Sequence, residues 1–391
     1  MTPLATPGAG RRALLLSGSI GMGHDVMAKA CATSLRARGW QCETLDAMQL
    51  LGERGGRMGE RVFRVLLHFP AAYDGFHFAA LRMGNRLAEV VEAAARREVV
   101  PRLRALLRAD PPDLVVSVFP TAAAAMDVLK PEFPGLVTMV FCTDVAVHRL
   151  WVHPSTDVYL VTSDAAACYV RRFHPEAEVA VVPAPVRAAF YDPPTQEDAR
   201  RAFGVPLDGP AVLLMAGAWG LGPLAEAADA LAAAEVSVLA VAGRNEKLAA
   251  RLREVAARRP HVVPFGYTDQ VAALMAASDL IVTTSGDTCS EARVIGRDML
   301  LLDVVPGHGR DNLQHELERG HTGVASADPG LLVRAVLAGL ERVQRPLPRV
   351  VGTPQAWERA FDAALGTAGL GAAPGSAGVP ANGRLGTLTG R

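Results

Sequence analysis

The sequence predicts an α/β protein of two Rossmann-like, doubly wound domains that face each other across a cleft. Three observations carry that prediction. At 391 residues the chain exceeds what one hydrophobic core usually supports. Half of its residues are apolar, enough to fill two cores. Short apolar runs alternate with longer helical patterns in two successive sets, and a stretch rich in proline and charge separates the sets.

The first set occupies residues 11–186 and opens on a strand from Ala13 to Ser17, followed by a glycine-bearing turn and a helix from about Asp25 to Arg38. Further strands are predicted at Cys42 to Leu45, Leu114 to Val118, Val137 to Cys142, Val158 to Val161 and Val179 to Val182. Continuous apolar runs of this kind suit a parallel sheet covered on both faces. Residues 187–210 read as the linker. The second set, residues 211–345, starts with a strand from Ala211 to Met215 and continues through Val236 to Ala242, His261 to Val263, Leu280 to Thr283 and Met299 to Asp303. Each of these is followed by a loop and a helix-like segment. Residues 353–365 form a last helix with Trp357 and Phe361 on one face, suited to packing back across the domains. Residues 366–391 are dominated by Gly, Ala, Ser, Pro and Thr, lack apolar material to bury, and read as a disordered tail.

Composition excludes several classes. With 40 basic and 40 acidic residues the formal charge is zero, which removes the global electrostatic argument for a nucleic-acid partner. The five cysteines stand far apart without a CxxC pair, which argues against a zinc site and a disulfide framework and for the cytosol. No apolar run reaches ~18 residues and the N-terminus lacks the order of a signal peptide, so the protein is expected to touch a membrane without spanning it.

Three loops carry chemistry. The first strand runs into Gly18, Ser19, Ile20, Gly21, Met22, Gly23 and His24 before a helix, an arrangement that turns backbone N–H groups and a helix N-terminus toward an open cleft. The glycines alone equally suit a tight connection. His24 adds chemistry, because a histidine at a helix start can be held neutral and take a proton from an alcohol. The second loop follows Leu280 to Thr283, where Ser285 and Gly286 form a turn and Asp287 to Val294 a helix with hydroxyls in its first turn, including Thr288. Such a terminus binds phosphate without a metal. Asp287 complicates this, since a carboxylate there caps the helix but repels a diphosphate. Glu291, one turn later, can accept hydrogen bonds from a ribose diol or stand solvated. The third loop, Pro306 to Asn312, follows the strand Met299 to Asp303, and its donors, His308 and Asn312 among them, can read sugar hydroxyls or simply start a helix.

Taken in order, the glycine-rich turn ending in His24, Thr143-Asp144, His148, Trp151 and His153, Pro185-Val186-Arg187, Gly243 to Lys247, Ser285 to Glu291 and Pro306-Gly307 resemble the monogalactosyldiacylglycerol synthase family of processive and plastid-type lipid glycosyltransferases. The similarity covers roughly Leu14 to Val324. It implies a GT-B fold, an inverting mechanism, a UDP-sugar donor as substrate with no cofactor or metal, and a diacylglycerol-like lipid acceptor received by the N-terminal domain. Carried over, His24 matches the catalytic histidine, with Asp144 beside it. Ser285, Gly286 and Thr288 match the diphosphate loop, and Glu291 the ribose-binding glutamate. Gly217, Gly243 and Arg244 lie beside the nucleotide, and Gly23, Asp144, His148 and Trp151 on the acceptor side. The chain departs from its relatives at Ala216 to Gly222, where Trp219 interrupts a glycine run, and at His308-Gly309, where they carry Gln-Glu; the second departure leaves the transferred sugar open.

Between Leu51 and Asp110 stand 11 arginines against 7 acids, interleaved with Phe63, Leu66, Leu67, Phe69, Tyr73, Phe76 and Phe78. This segment suits either an anionic membrane surface or an amphipathic helical excursion packed on the first domain. The expected setting is cytoplasmic, peripheral to the cytoplasmic membrane. Other readings are a transferase acting on a specialised metabolite or lipid-linked acceptor, a catalytically silent nucleotide-sugar-binding protein, and a nucleotide-sugar epimerase, since a fold alone does not set a reaction.

Overall fold

The computed structural model describes residues 10–18, 23–52, 74–75, 77–82, 85–217, 220–343 and 350–371. The strands form two six-stranded sheets, and every pairing recorded within them is parallel. The first contains β1 (Arg12–Ser17), β2 (Gln41–Asp46), β3 (Leu114–Ser117), β4 (Val137–Phe141), β5 (Val158–Val161) and β6 (Val179–Val181), in the order β2-β1-β3-β4-β5-β6. The second contains β7 (Ala211–Met215), β8 (Ser237–Val241), β9 (Val262–Phe265), β10 (Leu280–Thr283), β11 (Asp298–Leu302) and β12 (Thr322–Ala325), in the order β12-β11-β10-β7-β8-β9. Central strands such as β3, β7 and β10 are buried along their whole length, as their unbroken apolar runs require, whereas the edge strand β2 is largely exposed.

Around the first sheet lie α1 (Gly23–Ala37), α2 (Ala47–Leu50), α3 (Arg86–Ala109), α4 (Pro120–Leu129) and α5 (Asp164–Phe173). Then come α6 (Gln196–Phe203), α7 (Leu224–Ala233), α8 (Glu246–Arg258), α9 (Val271–Ala277), α10 (Asp287–Ile295), α11 (His308–Glu318), α12 (Pro329–Arg342) and α13 (Pro354–Thr367). Helices cover both faces of each sheet, and the core of each domain divides into clusters on the two sides.

Three features differ from the sequence expectation. Residues 187–210 are no bare linker: they hold α6, whose Ala199 joins Phe190 and Val205 in the core of the second domain. Thr195 caps α6 by accepting from the Asp198 N–H at 3.1 Å, and the buried Arg200 donates to the carbonyls of Ala277, Leu207 and Gly209 and to Asp279. The strand β12 is absent from the sequence expectation, because Thr322–Ala325 is short, holds a glycine and forms a half-exposed edge. The last helix runs to Thr367, past the expected start of the tail. The backbone then closes through Leu370 N–H donating to Leu365 O at 2.8 Å, while residues 372–391 lie outside the described residues.

Helix α13 belongs to the first domain's core although it follows the second in sequence. Trp357 and Phe361 stack at 5.0 Å, Trp357 stacks on Phe141 at 5.8 Å, and the Trp357 indole donates to Ser34 Oγ at 2.8 Å. Arg38, just past the end of α1, binds both Glu358 and Asp362.

Candidate active site between the domains

In an open parallel sheet, ligands gather where the strand order reverses, because adjacent connections leave to opposite faces there and open a crevice. The reversals fall between β1 and β3 in the first sheet and between β7 and β10 in the second. The chain leaving β1 carries Gly18, whose missing side chain matters: a Cβ there would lie 2.4 Å from the Phe119 ring. Residues 19–22 of the glycine-rich turn lie outside the described residues.

His24, second residue of α1, spans the first reversal. Its Nδ1 lies 2.7 Å from the carbonyl oxygen of Val118 at the end of β3, so Nδ1 carries the proton and Nε2 the lone pair. The ring meets Phe119 edge-on at 5.1 Å and lies 6.1 Å from Trp151. Burial lowers its pKa below 6.5, against the pull of the Asp144 carboxylate and the Val118 carbonyl.

Asp144, beyond the end of β4, accepts from the Trp151 indole at 2.9 Å and faces His148 Nε2 at 3.7 Å. Burial opposes its charge, but His308, His148, the indole and His24 together hold its pKa below the usual value. His148 is itself buried, with its pKa lowered to about 4 chiefly by desolvation, and its Nδ1 has no hydrogen-bond partner among the described residues. Asp144 therefore acts on His24 through space; the His24 Nδ1 proton goes to Val118.

Across the cleft, α10 begins at the second reversal with Gly286 as its cap residue and no side-chain capping bond. The Ser285 hydroxyl, expected at the phosphate, donates instead to Gly309 O at 2.7 Å and ties the turn to α11. Gly286 and Thr288 flank that open terminus. Asp287 faces the other domain: a Cβ on Gly23 would lie 3.0 Å from its Oδ2. Burial pushes its pKa up to about 6, so its charge is weakened without being removed at neutral pH. Glu291 is not a solitary acceptor, because Arg187 Nη2 donates to its Oε1 at 3.1 Å; burial raises its pKa to about 7 and Arg187 opposes the rise.

Because β8 lies beside β7, Gly243 and Arg244 stand at the same sheet edge as Gly217 and Ser285. Gly217 has φ +60°, and a Cβ placed on it would meet nothing within 4 Å, so this is an open turn that faces solvent. Gly243, at φ +59°, is buried, and the exposed Arg244 lies over the Tyr267 ring at 5.3 Å. Trp219 lies outside the described residues.

At α11 the outcome is mixed. His308 is in the cluster around Asp144, and burial lowers its pKa. Asn312 does not present its oxygen to a sugar: Oδ1 accepts from Val145 N–H of the first domain at 3.2 Å. Residues that sequence reasoning missed also reach this turn. Asp74 Oδ1 accepts from Gly307 N–H at 2.6 Å, while His77 Nε2 and Arg82 Nη1 engage the two oxygens of Asp311 at 2.9 and 3.1 Å. No pattern marked them, since they lie in the arginine-rich segment read only as surface or excursion.

A cavity of about 70 Å³ between the domains is lined by Thr143, Val145, Ser285, Asp287, Ser290 and Asn312 among others. The larger cavity, about 230 Å³, opens at the opposite ends of β1 and β2, beside Arg12, Gln41, Glu43 and Asp110, away from every candidate group. Among the described residues no cluster of three metal-ligating side chains occurs, and no helix is long and apolar enough to cross a membrane.

The model of the family described as monogalactosyldiacylglycerol (MGDG) synthase matches residues 56–175, which include Asp144, His148 and Trp151. A processive diacylglycerol beta-glucosyltransferase of Bacillus pumilus (strain SAFR-032) is 25% identical over 331 residues, covering 77% of this chain and 80% of that protein. A probable chloroplastic monogalactosyldiacylglycerol synthase of Glycine max is 30% identical over 227 residues, 54% of this chain and 42% of the relative. The chain is thus similar to diacylglycerol glycosyltransferases over most of its length. Among solved structures, a glycosyltransferase from Rickettsia africae ESF-5 superposes with a TM-score of 0.51 at 13% identity over 92% of this chain and 93% of that one, a likeness of fold alone. The fold is GT-B, with two Rossmann-like domains. The candidate base His24 and the donor-side candidates from Gly217 onward lie outside the span of the matching model.

Proposed function

We propose that the protein is an inverting glycosyltransferase of glycolipid synthesis that moves a hexose from a UDP-sugar to the hydroxyl of a diacylglycerol-like lipid. One observation carries this reading beyond similarity: a half-buried histidine, fixed by Val118 in the tautomer that leaves Nε2 basic, faces a helix N-terminus across the cleft whose first turn lacks a side-chain cap. In the reaction the acceptor hydroxyl gives its proton to His24 Nε2 as its oxygen bonds to the anomeric carbon. The bond from that carbon to the diphosphate oxygen breaks, UDP leaves, and the anomeric centre inverts. Asp144 stabilises the imidazolium formed on His24, and the N–H groups opening α10, with Arg244 at the rim, stabilise the charge on UDP. The similarity favours this over an epimerase on the same fold.

The lipid acceptor implies work at an anionic membrane surface. The arginine excess of residues 51–110 supports this. Replacing Arg57, Arg61 and Arg64 by Glu is expected to abolish co-sedimentation with anionic liposomes; unchanged binding would sink the membrane reading.

The function is tested by incubating the protein with UDP-glucose, UDP-galactose or UDP-N-acetylglucosamine and diacylglycerol vesicles, reading UDP release and the lipid product by mass spectrometry. A glycosylated lipid with one donor is expected. UDP-sugar binding without turnover against any lipid or alcohol would favour the silent binding protein instead.

A further inference from the structure

The turn that opens α11 stands where the sequence places sugar-reading donors, yet its geometry is set largely by the other domain. Gly307 turns at φ +64°, and its N–H is taken by Asp74. Gly309 packs so closely that a Cβ would lie 2.5 Å from Val305, and its carbonyl accepts from Ser285. Asp311 has one oxygen on His77 and the other on Arg82. His77 itself is 1% exposed, and its ring lies 6.4 Å from His148 of the acceptor loop and 6.4 Å from His308 of the donor turn. Both of those histidines act on the charge of Asp144.

We propose that His77, through its bond to Asp311, is a positioning residue for sugar transfer: it holds the donor turn in the register that places His308 beside Asp144 and His24. This rests on the glycosyltransferase reading. His77 comes from the first domain, it binds the second, and its ring lies 6.4 Å from each of the two histidines that act on Asp144. Asp311, with both oxygens engaged from the acceptor side, serves as the anchor of the turn and not as a sugar ligand. The α10 terminus meets this turn through Ser285 Oγ and Gly309 O, whereas His77 holds it at Asp311, so the device concerns the hexosyl group more than the UDP.

The test compares His77→Leu with His77→Gln, whose amide nitrogen can donate to Asp311 in place of Nε2. His77→Leu is expected to lower the transfer kcat roughly 10- to 100-fold, to narrow the discrimination among UDP-glucose, UDP-galactose and UDP-N-acetylglucosamine, and to leave the Kd for UDP nearly unchanged. His77→Gln should regain most of the rate. The proposal is overturned if His77→Leu keeps wild-type kcat and donor discrimination, or if both variants lose UDP affinity and activity together, which would make His77 scaffolding only. If the wild type transfers no sugar, the transferase reading fails, and calorimetric titration still decides this inference. His77→Leu must lower the ratio of UDP-sugar to UDP affinity, and an unchanged ratio overturns it.

Discussion

In the proposed reaction His24 is the residue whose state decides the chemistry. Its Nδ1 is committed to Val118 and burial disfavours its charge, so the neutral base is the resting form at neutral pH. The acid limb of kcat/KM should therefore show an apparent pKa below 6.5, the ordinary histidine value. His24→Ala is expected to cost about 10²- to 10⁴-fold in kcat while UDP still binds, which steady-state kinetics and calorimetry read together. Asp287 is the opposite kind of residue. Burial raises its pKa from 3.8 to about 6, so the folded chain holds the proton more tightly than the unfolded one. Its contribution to stability is present below about pH 4 and is lost as pH rises through about 6. Asp287→Asn should thus raise Tm at pH 8 and change it little at pH 4, a difference that thermal melts at the two pH values would show; an equal shift at both would contradict it. Glu291 has the same sign over a window reaching about 7, tempered by Arg187.

At the scale of elements, the site depends on turns that admit no side chain. Gly309 lies in the first turn of α11 against Val305, and its carbonyl holds Ser285. Gly309→Ala is expected to destabilise by about 1–3 kcal/mol through overpacking, and to weaken UDP-sugar use more than UDP binding because it shifts the donor turn. Chemical denaturation and donor titration separate the two effects. The helix inside residues 187–210 shows why short elements escape a pattern reading. It is eight residues long, strongly charged, and its two buried positions include an arginine that serves carbonyls. The sign of it in the sequence was the cap Thr195 with Asp198 three residues on, a signal weaker than the prolines around it.

On the scale of the molecule, the described residues join the two domains through residues 187–210, through the contacts of Asp74, His77, Arg82 and Val145 with α11 and the turn before it, and through α13. Because α13 fills the first domain's core after the chain has finished the second, the ends of the fold are locked together. Trp357→Ala removes a buried indole stacked on Phe141 and Phe361 and should cost about 3–5 kcal/mol of the first domain's stability. Differential scanning calorimetry would show this as a lowered transition; an unchanged melt would mean that α13 is dispensable.

The sequence by itself determined the alternation of apolar runs and helices, hence two parallel sheets, and it located most strands within a residue or two because fully buried strands leave unbroken apolar runs. It also pointed to His24, Ser285 and His308 as candidates, since loops at the carboxyl ends of parallel strands are where such folds place ligands. What the side chains touch was decided only by the tertiary structure. Ser285 turned to Gly309, Asn312 to Val145, Glu291 to Arg187, and Asp311 to His77, whose positions lie 234 residues apart. Local pattern records which face of an element is buried. It carries no information about which distant polar group will satisfy a buried donor, and that pairing shapes the cleft.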